Sequence, residues 1–411
     1  MAVKASAETE RFEKKRQDVI DAASVLINEL GVKGMTFADV AAEVGLNATS
    51  ITYYFGRKER LVVAVYEATL DRLEAMAVEA GAQPDPRSRV RHFLHANIEL
   101  RKRIRRGERG LITVLAEMRT LDEDAQQPLL GHFRRISHCL RDFFGPAKDP
   151  MGKALNTARA HALLESVFWW PIWSLRYSTH DFDRIEERWF DILENGIAAR
   201  PGEWQPQPLV RDWRTDDEGE ANTLDQFLRS ATAMINQRGY RGASVNRIAK
   251  ELNVTKGSFY HHHSAKDDLV LSCFERSYDR LAAVQLAGQA LEADYWTRLS
   301  STLAELIDLQ FFDGMPLLRT TALHAIPSED REDVVTRSNR LARRFAGMLI
   351  DGIADGSIRP VDPLIASQVI MSTLNSAYEA RHWAERFEDP AKAVRYYGWV
   401  FTAGLFTDPP D

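Results

Sequence analysis

Two stretches of this chain carry side chains suited to reading hydrogen-bond patterns. Asn47, Ala48, Thr49, Thr52 and Tyr53 form one; Thr255, Lys256, Gly257, Ser258, Tyr260, His261 and His262 form the other. An asparagine can bond adenine bidentately, and a lysine can reach guanine O6 and N7. Bond-breaking chemistry finds less support. His261, His262 and His263 are adjacent, so on a helix they point in different directions, whereas zinc ligands need spacings such as i and i+4. His92 and His95 stand at i and i+3 without an evident Cys or carboxylate constellation. With no nucleophile elbow, phosphate-binding glycine loop or paired-carboxylate signature, neither enzyme activity, a cofactor nor a metal is expected.

The elements that must position these residues are short helices. In Thr36-Phe-Ala-Asp-Val-Ala-Ala-Glu-Val44 the apolar residues fall at 37, 40, 41 and 44, which is helical spacing. Thr36 is placed as its N-cap, and Gly45 can take the left-handed conformation that ends it. A second helix follows, with Leu46, Ile51 and Phe55 inward and Asn47, Ala48, Thr49, Thr52 and Tyr53 outward. Two short helices joined by a tight turn form a helix-turn-helix, whose second helix presents its N-terminal side chains to the major groove.

The chain then says the same thing again. A constant shift of 208 positions places Gly31 and Gly34 on Gly239 and Gly242, Thr36 on Ser244, and Val40-Ala41 on Ile248-Ala249. The same shift places Ser50 on Ser258, Lys58 on Lys266, Leu61 on Leu269, Ala23 on Ala231 and Asn28 on Asn236. A repeat of about half the chain is a duplicated domain rather than a solenoid.

Residues 242–270 (GASVNRIAKELNVTKGSFYHHHSAKDDLV) resemble the N-terminal DNA-binding region of the TetR/AcrR family of bacterial transcription regulators, and residues 34–62 resemble it nearly as well. The resemblance covers about 50 residues in each half and includes cap, turn, recognition helix and trailing lysine. It implies that Thr36 and Ser244 touch a phosphate through the helix start, and that Tyr260, Lys58 and Lys266 contact phosphates. Two departures stand out. Thr52 occupies the usual tyrosine position, with Tyr53 and Tyr54 following, and His263 stands where an aromatic anchor (Phe55 in the first copy) packs.

Composition fits an ordinary globular chain: 45% hydrophobic and 27% charged residues over 411 positions. A net charge of −6 excludes a binder that coats DNA by charge alone, but not a sequence reader with a local basic footprint. Residues 221–269 hold seven Lys/Arg against four Asp/Glu, and residues 1–62 hold nine of each. The two cysteines suggest no disulfide framework. The opening MAVKASAETERFEKKR has no apolar core, and the apolar run Val167–Leu175 is too short to span a bilayer, so a cytoplasmic protein without membrane association is expected.

The remainder reads as helix, predicting an all-α fold of two TetR-like halves. The helical segments of the first half are predicted near 88–104, 110–120, 128–144, 152–177 and 182–198, ahead of which Val19, Ala22, Ala23, Leu26 and Leu30 form a helix stripe. The expected domains are a helix-turn-helix domain over 1–62, a helical ligand-binding and dimerisation domain over 63–200, a Pro/Gly and acidic linker over 201–220, a second helix-turn-helix domain over 221–269 and a second helical domain over 270–411. Near the end of each half a shift of 210 aligns Ser166, Phe168, Trp173, Arg176 and Trp189 with Ser376, Tyr378, Trp383, Arg386 and Trp399. These aromatics suit either a four-helix pairing between halves or the core of each. Trp169, Trp170 and Trp173 are weak candidates for lining a ligand pocket, and the basic run Arg101–Arg109 reads as a solvated helix face.

Resemblance to TetR implies a homodimer with two reading heads; here both heads lie on one chain, so an intramolecular pseudo-dimer is expected, with further pairing of whole chains left open. The expected partners are double-stranded operator DNA and an unidentified small-molecule effector. Because the two reading faces differ, the operator should be an imperfect palindrome, and the resemblance favours a ligand-responsive repressor. The alternative is a helical interaction protein in which one or both heads have lost function.

Overall fold

The structure is a computed structural model. It describes residues 2–108, 110–115, 118, 121–200, 202–210, 220–242, 247–248, 250, 266–312, 316–319, 322–323, 326 and 328–410. The fold is all-α: among the described residues there is no strand, only one isolated antiparallel bridge between Ala198 and Ile358.

The first half runs through α1 (Ala2–Gly34), α2 (Phe37–Glu43), α3 (Ala48–Phe55), α4 (Lys58–Gly81), α5 (Pro86–Arg105), α6 (Glu123–Asp142), α7 (Pro150–Trp173) and α8 (Phe182–Asn195). The second half contributes α9 (Glu220–Gly242), α10 (Lys266–Gln289), α11 (Tyr295–Phe311), α12 (Ser328–Asp355), α13 (Pro363–Ser376), α14 (Arg381–Ala384) and α15 (Pro390–Ala403). The duplication is written into the backbone. Gly31 breaks α1 at φ 71° and Gly239 breaks α9 at φ 70°, a left-handed kink that glycine takes without Cβ strain. Helices α4 and α10 are both 24 residues long and start on the paired lysines Lys58 and Lys266. The expected boundaries at 62/63 and 269/270 fall inside these two continuous helices.

The chain divides into two compact units, residues 1–78 with 99–136, and residues 79–98 with 137–411. In the first, Val19, Ile20, Ala23, Leu26 and Ile27 of α1 are buried together with Val40, Ala41, Ile51, Phe55 and Leu61. Leu30, expected in that stripe, is 51% exposed, because the kink at Gly31 ends the face it would have joined.

The helix predicted over 110–120 does not form at its start: residues 110–114 are non-helical. The duplicated asparagine explains why. Asn28 Nδ2 donates to the Ile112 carbonyl at 3.0 Å, and the Val114 N–H donates to Asn28 Oδ1 at 3.0 Å. In the second half Asn236 Nδ2 donates to the Leu317 carbonyl at 2.9 Å and receives the Arg319 N–H at 3.0 Å. Each asparagine supplies the donor and acceptor that a backbone segment outside a helix needs.

In the second unit, α7 and α8 of the first half pack on α13 and α15 of the second. The aromatics divide between the two expected roles. Trp170, Trp173, Trp189 and Phe182 form an edge-to-face cluster on α7 and α8, all nearly solvent-free. Trp169 and Trp383 instead reach across, donating through Nε1 to Gln368 Oε1 at 3.2 Å and to the Ala154 carbonyl at 3.0 Å.

The pairing at the helix ends is reciprocal. The Ile197 N–H donates to the Phe401 carbonyl at 2.7 Å, and the Leu405 N–H donates to the Leu193 carbonyl at 2.7 Å. Those residues are related by 208, as are the 14-residue helices α8 and α15 themselves. The terminal register is therefore 208 rather than 210, and Trp189 corresponds to Tyr397, not to Trp399. A contact in which i meets j′ and i′ meets j is the signature of an isologous, two-fold interface.

The stretch expected as linker is partly docked. Trp296 Nε1 donates to the Glu203 carbonyl at 2.6 Å, and the Gln207 N–H to Ser301 Oγ at 2.8 Å. The Trp204 ring lies where a Cβ on Gly398 would meet it at 2.5 Å. Residues 203–209 are thus a strap on the second half, not free chain. The basic run is not uniformly solvated either: Lys102 is buried with its ammonium on Glu99, and burial, with Arg105 nearby, lowers the Arg101 pKa. No helix among the described residues is long and apolar enough to cross a membrane.

Candidate nucleic-acid interface

The first head is built from two caps and a turn. Thr36 N-caps α2 in a reciprocal box: its Oγ1 accepts the Asp39 N–H at 3.2 Å, and Asp39 Oδ2 accepts the Thr36 N–H at 3.0 Å. Gly45, at φ 63°, turns the chain, and the Leu46 N–H closes on the Ala41 carbonyl at 2.9 Å. Asn47 then N-caps α3, accepting the Ser50 N–H at 2.8 Å.

Helix α3 sits with Ile51 at 0% and Phe55 at 5% exposure against the core. Asn47, Ala48, Thr49, Thr52 and Tyr53 are exposed, and Tyr53 is open to 77%. The predicted outer face and the observed one coincide. Helix α1 supports this face from behind. Phe12 of α1 packs on Tyr54 at 4.9 Å and on Tyr53 at 5.9 Å, Lys15 Nζ donates to the Val44 carbonyl at 3.0 Å, and Arg16 lies over Phe55. The spacing of Phe12, Lys15 and Val19 on one helical face was the available signal.

Four candidate contacts are already engaged inside the protein. Thr36 Oγ1 donates to Asp39 Oδ2 at 2.6 Å, so a phosphate there would meet a carboxylate. Lys58 Nζ donates to the Lys33 carbonyl at 3.0 Å, where it caps the end of α1. Asn47 Oδ1 takes both the Ser50 N–H and, at 2.9 Å, the Ser50 hydroxyl. The bidentate adenine contact would break that cap, which leaves the Nδ2 donor for recognition. Thr52 Oγ1 donates to the Ala48 carbonyl at 3.2 Å.

In the second head, Ser244, Thr255, Lys256, Gly257, Ser258, Tyr260, His261, His262 and His263 lie outside the described residues. Lys266 begins α10. Ile248 is fully buried, whereas Arg247 and Lys250 are exposed. By the shift of 208, Arg247 occupies the position of Asp39, so the two heads carry opposite charge beside the helix start.

The pocket candidates Trp170 and Trp173 are close-packed core, and Trp169 belongs to the contact between the halves.

Comparison with known proteins places these elements. The family described as bacterial regulatory proteins, tetR family, matches residues 19–65 and again 227–273, two segments separated by the same 208. A tetracyclin repressor-like C-terminal domain matches residues 314–379. The HTH-type transcriptional regulator BetI of Burkholderia ambifaria is 35% identical over 89 residues, 21% of this chain and 46% of that protein. The uncharacterized HTH-type transcriptional regulator YuxN of Bacillus subtilis is 27% identical over 95 residues, 22% of this chain and 33% of its own. The chain thus spans less than half the length of these relatives. Among solved structures, AibR in complex with isovaleryl coenzyme A and operator DNA aligns at 20% identity, covering 43% of this chain and 97% of its own, with a TM-score of 0.36. With the tetR-family N-terminal signature present twice in register and a tetracyclin repressor-like C-terminal domain behind the second copy, this chain carries the TetR-family signature in a tandem form, with two TetR-like halves in one polypeptide.

Proposed function

We propose that the chain is a sequence-specific DNA-binding transcriptional regulator whose two halves act as one intramolecular pair. The observation that carries this reading is the outer face of α3, where Asn47, Ala48, Thr49, Thr52 and Tyr53 are exposed over a buried base of Ile51 and Phe55. Such a face offers donors and small side chains at a helix start on a rigid support, which is what a major-groove reader requires.

One recognition helix reads few bases, and a second helix about 34–36 Å away reaches the next major groove on the same side of the duplex. Here 1–62 and 221–269 serve as the two heads, and 63–200 and 270–411 as the paired, effector-binding parts. Covalent linkage gives the second half an effective concentration of about millimolar, so pairing would not depend on protein concentration. Unequal reading faces imply unequal half-sites. A repressor released by a small molecule is the family's usual mode and is proposed on that ground.

A second reading follows from one observation. The first head holds Thr36 on Asp39 and Lys58 on Lys33, so both side chains are already engaged before any phosphate approaches. Under that reading the first head contributes structure and the second carries most of the binding.

The test is selection of bound sequences from random duplex DNA by the full chain. Two unequal half-sites about one turn apart support the pseudo-dimer. A single half-site supports a dominant head, a perfect palindrome supports paired whole chains, and no enrichment sinks the regulator.

A further inference from the structure

The contact between the halves encloses a polar cluster that DNA reading does not use. His161 and Glu165 stand one turn apart on α7, and Glu379 approaches from the 3-10 turn Ala377–Ala380. One ligand atom from each lies within 4.8 Å of the other two. Arg319 is ion-paired with Glu379. Two carboxylates and one guanidinium thus meet in a place where all three side chains are at most 17% exposed.

The state of His161 follows from its other neighbour. Its Nδ1 lies 3.0 Å from the Tyr397 hydroxyl, which itself donates to the Thr373 carbonyl at 3.3 Å. A phenol that has given its proton to a carbonyl accepts from the imidazole, so Nδ1 carries the hydrogen and Nε2 presents a bare lone pair. That Nε2 is almost without exposed surface, has no hydrogen-bond partner among the described residues, and lies 4.0 Å from Glu165 Oε1. A buried lone pair facing carboxylates is unfavourable unless a cation sits between them.

We propose that His161, Glu165 and Glu379 form a site for one divalent transition-metal ion of the zinc class, with Tyr397 as the positioning residue. Imidazole and carboxylate oxygen are the donors such an ion takes, and a fourth position stays open to water or an effector. Ligand distances of about 2.0–2.2 Å place donor atoms roughly 3.3 Å apart in a tetrahedron, so the three side chains close by about an ångström on binding. Arg319 can keep the second oxygen of Glu379. A hydrogen bond from Nδ1 to an oriented acceptor is the usual support of a metal-bound histidine. The ion would tie α7 of the first half to the second half. His161 and Glu165 have the i, i+4 spacing of a ligand pair, but the third donor, Glu379, is remote in sequence and joins them only in the fold.

The full chain, stripped with a chelator, is titrated with Zn2+ by calorimetry and with Co2+ by visible absorption, without DNA. The expected result is one ion per chain with the intense d–d bands of tetrahedral cobalt. His161→Gln and the isosteric Glu165→Gln should each abolish those bands. Tyr397→Phe should weaken binding about 10–100-fold, the usual effect of losing an outer-shell partner. Glu74→Gln, in the separate cluster of Asp71, Glu74 and His132, should change nothing. Absence of stoichiometric binding overturns the proposal. So does binding that survives Glu165→Gln, or binding that disappears only when His261–His263 are replaced by glutamine.

Discussion

Gly196 and Gly404 each stand where a side chain would enter the other half's backbone. A Cβ on Gly196 would lie 2.6 Å from the Ala403 nitrogen, and a Cβ on Gly404 would lie 2.2 Å from the Glu194 carbonyl oxygen. Both take a positive φ, 67° and 78°, and both follow the last residue of a 14-residue helix. The two glycines are the crossing point of the pairing between the halves.

Alanine at either glycine therefore combines left-handed strain with a backbone clash. Gly404→Ala should destabilise the full chain by about 2–4 kcal/mol. Urea unfolding measures it, and a change under about 0.5 kcal/mol, the range of neutral surface substitutions, would refute this account of the interface.

Asp39 takes the hydroxyl proton and N–H of Thr36, while its counterpart Arg247 is exposed. Asp39→Arg should raise DNA affinity and steepen the slope of log K against log salt by about one unit, as one added phosphate contact does. An unchanged slope would mean that the start of α2 does not approach a phosphate.

Lys256 is proposed to read guanine. Lys256→Ala should cost about 1–3 kcal/mol at one half-site position and relax base preference there. Equal weakening on every sequence, read in parallel titrations of matched and mismatched duplexes, would reassign Lys256 to a phosphate.

Asn236 is 3% exposed and serves two backbone groups at once. Asn236→Ala should leave the Leu317 carbonyl and Arg319 N–H without those bonds, at a cost of about 1–3 kcal/mol. The half-exposed Asn28 should tolerate the same change better. Thermal unfolding of the two variants distinguishes them, and equal losses would contradict the role of burial.

Burial pushes the Cys273 thiol up to about 12, and its Sγ–H points to the Leu228 carbonyl at 3.7 Å. The thiolate is the reactive form, so at pH 8 a disulfide reagent should label the half-buried Cys139 first and Cys273 only as the fold opens. Because this pKa is raised, reactivity at Cys273 should climb only toward pH 12 in the folded chain. Rapid labelling of both at pH 8 would show that α10 is not packed as described.

Much of this protein is legible along the chain because its signals are local. Caps at Thr36 and Asn47, the turn at Gly45 and the inward pair Ile51 and Phe55 depend on residues within one helical turn, so spacing alone places them. The shift of 208 fixes the tandem organisation for the same reason, since it compares the sequence only with itself. What a polar side chain does with its hydrogen bonds is decided elsewhere. Lys58 caps α1 through Lys33, Asn28 and Asn236 hold segments more than 80 positions away, and the helix expected over 110–120 gives way to the backbone they bind. The terminal register of 208 and the gathering of His161, Glu165 and Glu379 likewise arise only when α7 and α8 meet α13 and α15. Periodicity determines which face of a helix is apolar; only packing determines which apolar face it meets, and therefore which distant polar groups are buried together.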